Sequence, residues 1–256
     1  MAYAVLQKDL VAPDLEALKR ASRVLPGLQA MDAKLLFQQV YGVLIKGLEY
    51  MDANAFHEAL AGEGIDAVVL DETHLPTVPI AKIIRQIEFL PAQLNMHDPM
   101  GRVYGLPWQD IMFVAAGKVR MQEFRRGKSG FEEPQAFGSG ITVESLTEQR
   151  PKEQSQYHSL LEIFLIGGIL RYSIDAHQFS FPAAGSKYSD NAQQNLAVLL
   201  KDLLEFAPHA GLNRGACLLT QNVDELFCYP SKANFHEELV WMLWRIGQAR
   251  SGPITA

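Results

Sequence analysis

The chain of 256 residues has few cysteines, little net charge and no long apolar run. Each shortage removes a class of function. Cys217 and Cys228 are the only cysteines, and no Cys-x-x-Cys or paired histidines accompany them as a zinc site would require. Both are expected to be small buried hydrophobes. A charged fraction of 20% and a net charge of −6 describe an ordinary soluble surface and argue against sequence-independent nucleic-acid binding as the main task. The most apolar window, Leu160 to Leu170, is too short to cross a bilayer as a helix. It also contains Glu162 and the pair Gly167-Gly168, so it is expected to form two buried strands meeting at a glycine turn. The opening Met-Ala-Tyr-Ala-Val has neither the basic start nor the apolar core of a secretory signal, which makes the cytoplasm the expected setting. His-x-x-x-His, Gly-x-Ser-x-Gly and Walker patterns are missing, and Gly-Ser-Gly at 138–140 is too short for a phosphate loop. No cofactor, metal ligand or catalytic residue is therefore expected.

What is present is clearest between Met31 and Leu70. Ala33, Leu36, Phe37, Val40 and Tyr41 fall on one helical stripe that Gly42 ends. Val43-Leu44-Ile45 predicts a strand closed by Lys46-Gly47. Asp52 is placed to cap a helix from Ala53 to Ala61, in which Ala53, Phe56 and Leu60 share a face, and Ile65 to Leu70 follows as a strand. Upstream, Tyr3 to Gln7 predicts a strand, and Pro13 starts a helix carrying Leu15, Leu18, Ser22 and Leu25. Residues 1–72 thus read β-α-α-β-α-β, with helices on one side of a small sheet.

Gly27-Leu28, Asp32-Ala33-Lys34, Leu36, Leu44, Lys46-Gly47, Asp52-Ala53, Ala55, Glu58-Ala59-Leu60, Gly64 and Val69 align without a gap to a known pattern. In these positions the chain resembles the C-terminal domain of the bacterial ribosomal stalk protein, whose fold is shared with the adaptor subunit of the Clp protease. The pattern is one of core and turn residues, so it implies architecture more than activity. The stalk protein's dimerisation helices and hinge have no counterpart here, and a ribosomal role does not follow.

Leu75-Pro-Thr-Val-Pro79 reads as an extended connector, placing a second domain at 78–256. Strands are expected at Ile83 to Leu90, Leu94 to Met96 and Arg102 to Tyr104, and then at Ile111 to Ala115 and Lys118 to Phe124 around a turn at Gly117. Residues 125–156 lack periodicity and are expected to be a mobile loop. Strands resume at Leu160 to Ile166, Ile169 to Ile174 and Phe179 to Phe181, with another at Gly215 to Thr220. Ser189 caps a predicted helix from Asp190 to Phe206, and Asn234 with Glu237 starts a last helix bearing Leu239, Met242, Leu243 and Ile246. The expected class is α+β, a small sandwich followed by a mostly antiparallel β domain with C-terminal helices. Its order of elements is like that of a pleckstrin-homology barrel.

The candidate binding residues are Lys19, Arg20 and Arg23 on one helical face, with Lys34 close by. Their commonest role is a solvated face. In the stalk protein the corresponding helical hairpin contacts partner proteins, so the resemblance implies docking here. The seven histidines are scattered, and Tyr172, Phe179, Phe181, Trp241 and Trp244 are more consistent with core than with a pocket. The expected function is non-catalytic binding of a protein or ligand, adaptor-like or regulatory, with partner and oligomeric state open. The alternative is an enzyme whose active site assembles only in three dimensions from the β-rich domain.

Overall fold

A computed structural model of the chain describes residues 1–8, 11–28, 37, 40–124, 153–181, 187–222 and 225–251. Its architecture is α+β, with five helices and twelve strands in three sheets among these residues. The first sheet has β1 (Tyr3–Gln7) at its centre, antiparallel to β2 (Val43–Leu48) and β3 (Ala67–Asp71). The register of β1 against β2 slips between Tyr3↔Leu48 and Val5↔Ile45. Gly47, at φ +80°, accommodates the extra residue, so Lys46-Gly47 forms a bulge inside the strand rather than closing it.

α1 (Leu15–Ala21) is capped by Asp14, whose carboxylate accepts from the Ala17 N–H at 2.9 Å, so the helix starts two residues later than Pro13 suggested. α2 (Tyr50–Gly62) begins ahead of the expected Asp52 cap, which leaves Asp52 in the first turn, where a carboxylate favours the helix dipole. Its Ala53, Phe56 and Leu60 are buried as their spacing predicts. They join Val5, Leu18, Leu44 and Phe37 in a core whose Phe37 and Phe56 rings stack at 6.0 Å. Most of the helix expected at Met31 to Tyr41, Lys34 included, lies outside the described residues.

Residues 75–80 lead to β4 (Ala81–Ile83) and a separate hairpin sheet of β5 (Gln86–Phe89), β6 (Gln93–His97) and β7 (Val103–Pro107). The turn at Gly117 does not form. β8 (Ile111–Phe124) passes straight through it, because the Tyr229 ring packs where a side chain at 117 would lie. β9 (Glu153–Leu165) pairs with β8 over nearly its whole length, so the last four residues of the expected loop, 153–156, are strand. The rest of that loop lies outside the described residues. β9 turns at Gly167-Gly168 into β10 (Arg171–Asp175), as expected. Phe179 to Phe181 is not a strand; its two aromatic rings meet edge to face at 4.9 Å instead.

α3 (Ala192–Phe206) is capped by Asn191, while Ser189 accepts from the Asn191 N–H through its hydroxyl. β11 (Gly211–Leu212) follows, and then α4 (Arg214–Gln221) replaces the strand expected at Gly215 to Thr220. Asn213 starts this helix by accepting from the Ala216 N–H at 2.9 Å, and Ala216 and Leu219 are buried at helical spacing. Cys217 on α4 and Cys228 on β12 (Cys228–Tyr229) are both exposed, contrary to expectation. α5 (Lys232–Ser251) starts two residues before Asn234, with the Ser231 hydroxyl accepting from the Asn234 N–H.

The main sheet runs β11-β8-β9-β10-β4, with β12 also on β8. Its long pairings are antiparallel, but β4, β11 and β12 pair in parallel and three helices follow, unlike a barrel closed by one helix. One face packs Leu161, Ile163 and Ile174 on α3, α4 and the hairpin sheet. The other packs Phe113 and Phe164 on Leu239 and Trp241 of α5, and this same cluster takes in Ala4, Leu6 and Val43 of the first sheet. Among the described residues no helix is long and apolar enough to cross a membrane.

Candidate functional site

Of the basic residues singled out from sequence, Arg20 and Arg23 are exposed and Lys19 is partly buried, and two of the three already have carboxylate partners. Lys19 meets Glu16 at 2.5 Å, one helical turn away. Arg20 grips Glu63 at the end of α2 through three contacts of 2.6 to 3.0 Å. That grip holds the Glu63 carboxyl below its usual range and raises Arg20. Arg23 stands in the exposed turn after α1. The patch therefore offers less unbalanced positive charge than a count of its residues suggests.

Sequence reasoning missed the buried polar clusters. Glu238 of α5, 1% exposed, accepts from the Arg214 backbone N–H, from Arg214 Nε and Nη2 at 2.9 to 3.0 Å, and from the Tyr229 hydroxyl at 2.8 Å. Asn213 donates to that hydroxyl, and the Arg214 guanidinium lies over Tyr41 at 3.8 Å and Phe227 at 4.3 Å from the ring centres. Burial and the Glu238 charge push the Tyr41 hydroxyl up to about 12. On β9, Glu162 is equally buried and accepts from Arg171 at 2.8 and 2.9 Å and from the Ser173 hydroxyl at 3.0 Å. Burial raises its pKa despite those donors. Further along the same face, His158 Nδ1 and Asp175 are 2.7 Å apart. One signal for the Glu162 cluster was visible: the only charge inside the most apolar window must bring its counter-charge with it.

The aromatics divide between two hydrophobic clusters. Tyr172, Phe179 and Phe181 belong to the cluster that α3 shares, while Trp241 and Trp244 belong to the α5 layer, where Trp241 Nε1 donates to the Gln7 carbonyl at 2.7 Å. An open cleft of about 320 Å³ lies instead between the connector, the β9–β10 turn and α5. Its lining is Pro76, Thr77, Met112, Gly168, Ile169 and Leu243, with Gly167 and Gly247. Ile169 is 75% exposed at its rim and Ile166 47% at the same turn. The connector that walls the cleft continues directly into β4, the edge strand of the main sheet. Among the described residues no group of three or more histidine, cysteine or acidic side chains is arranged to hold a metal ion. Compared with protein-family models, curated proteins and solved structures, the chain matches none.

Proposed function

We propose that this is a non-catalytic binding protein of the cytoplasm that docks an apolar segment of a partner protein. The cleft beside β4 carries the reading: an apolar lining, isoleucines at its rim, and none of the polar clusters of the described residues inside it. The condition of the buried carboxylates favours the same view. Glu162 and Glu238 have their lone pairs directed to internal donors, whereas a general base needs one directed at substrate. The basic segment with Lys19, Arg20 and Arg23, together with Lys34, is the second proposed contact, supported by the stalk-protein resemblance.

The test is affinity purification of the tagged chain from its own host, comparing wild type, Ile169→Asp, and Lys19→Glu/Arg20→Glu/Arg23→Glu. A stoichiometric partner lost in Ile169→Asp, with unchanged melting, supports the cleft. Loss only in the triple variant moves the contact to α1. A chain that retains no partner under any condition sinks the proposal. One observation favours the enzyme alternative: His158–Asp175 and Ser173–Glu162–Arg171 share one face of β9 and β10. An activity abolished by His158→Gln without loss of stability would establish it.

A further inference from the structure

The open edge of the main sheet extends the binding surface beyond the cleft beside it. Resting on the binding role proposed above, we infer that β4 accepts an extended segment of a partner protein as an added strand, and that this segment is rich in acidic residues.

Among the described residues β4 is the outermost strand and pairs, in parallel, with β10 alone. The Ile84 N–H donates to the Ser173 carbonyl at 2.9 Å, which sets the phase: Lys82 and Ile84 direct their backbone groups at β10. Ala81 and Ile83 therefore direct theirs outward, and among the described residues nothing meets them. An open row of main-chain donors and acceptors is a template for another strand, and folded proteins usually blunt it. The residue available for that purpose is Lys82. Its ammonium lies over the Tyr104 and Tyr172 rings, 4.8 and 5.7 Å from their centres, and so is drawn onto the sheet face and away from the edge.

The side chains at this edge are apolar where solvent would favour polar ones. Ile80 is 95% exposed and Ile83 45%. Strand addition takes its affinity from main-chain hydrogen bonds and its selectivity from side chains; because strand side chains alternate, Ile80 and Ile83 fall on opposite faces, and each offers a guest one apolar contact. Charge sets the composition of the guest. Lys82 and Arg85 have no carboxylate partner among the described residues; the Arg85 guanidinium donates to the Gln178 carbonyl at 2.8 Å, and its backbone is met by His97 and Ser180, so the open row ends at Ile83. Arg171, in contrast, is matched by Glu162. On a chain of net charge −6 this edge is locally basic, which attracts acidic residues. The same charge disfavours a second copy of the chain as the occupant, since two β4 edges paired about a two-fold axis would bring like charges together.

The probe is the blocked peptide acetyl-Glu-Ile-Glu-Val-Glu-Ile-amide, titrated into the full ¹⁵N-labelled chain. The largest amide shifts are expected at Ala81 and Ile83. Replacing the three Glu by Lys weakens binding about tenfold or more, and N-methylating alternate peptide amides removes it. Ile80→Asp, at a position almost wholly exposed in the fold, weakens the acidic peptide, and Lys82→Glu reverses the preference toward the lysine peptide. Absence of shifts at Ala81 and Ile83, or equal binding of the N-methylated peptide, overturns the inference. So do concentration-dependent shifts at these amides without peptide, which would make the occupant a second copy. If the peptide fails but host purification still yields a partner lost in Ile169→Asp, the edge is wrong and the binding role stands. If both fail, both are wrong.

Discussion

The first sheet has two faces, and they are covered by different means. On one face Val5 and Leu44 pack against Leu18, Phe56 and Leu60, all from within 1–72 and all apolar. On the other, Ala4, Leu6 and Val43 pack against a helix that starts at Lys232, and polar anchors surround the apolar contact. Trp241 donates to the Gln7 carbonyl, Arg245 to the Lys8 carbonyl at 2.8 Å, and Lys46 meets Glu237 at 2.8 Å. Gly42, at φ +79°, passes so close under Trp241 that a side chain there would lie 2.6 Å from the indole. A face closed by neighbours in sequence needs only hydrophobic spacing, because chain connectivity brings the partners together. A face closed from some 200 residues away has no such help, and directional bonds and a steric slot define its alignment.

The largest effect should come from the face closed locally. Leu60→Asp places a charge in a core where Leu60 is wholly buried and is expected to cost about 3 to 5 kcal/mol. Denaturant unfolding reads it, and wild-type stability would refute the register of α2. Trp241→Ala tests the distant face. It should cost about 3 to 4 kcal/mol and speed amide exchange at Gln7 and Val43, far along the chain. Unchanged exchange there would show that residues 1–72 do not depend on α5.

A narrower contrast separates two arginine–glutamate pairs with nearly the same geometry. Glu238→Gln leaves Arg214 without its full counter-charge in a buried setting and should cost about 3 kcal/mol. Glu63→Gln breaks a pair whose Arg20 side chain is half exposed, and no shift in the melting temperature is expected. Equal effects would mean that burial is not what distinguishes them.

The smallest effect concerns pH. Partial burial, reinforced by Arg171 and Lys46, lowers the pKa of His236 on α5 below its ordinary 6.5. The unfolded chain then binds the proton more readily than the folded one, so stability falls as pH drops from about 6.5 through the folded value. Around the ring stand Arg171, Lys46 and Lys232, which disfavour the proton, and Glu237, which favours it. His236→Asn should flatten the slope of stability against pH in that window, and an unaltered slope would assign it to other groups.

The local elements were legible where one hydrophobic period applied. Ala53, Phe56 and Leu60 placed α2, Leu196, Leu199, Leu200 and Leu203 placed α3, and Gly167-Gly168 placed a turn. The misreadings fell where a distant residue decided the outcome. Gly117 looked like a turn because glycine permits one, but it is glycine because Tyr229 crosses the strand there. Gly215 to Thr220 looked like a strand because six residues hold too few periods to separate helix from strand, and the Asn213 cap, bonded also to Ala116 on β8, decided it. In the basic patch Arg20 and Arg23 are exposed and Lys19 is partly buried, and Arg20's partner, 43 positions away, could not be seen in the sequence.

The sequence by itself determined the α+β class, the segments with a continuous apolar face, and the presence of a lone carboxylate in an apolar run, because these follow from residue spacing and the cost of burying charge. Only the tertiary structure decided that Glu162 meets Arg171, that α5 closes the first sheet, and that the Ala81–Ile83 edge lies open beside an apolar cleft. Pairing across hundreds of residues depends on which surfaces remain uncovered once the local elements have formed, and no periodicity along the chain records that.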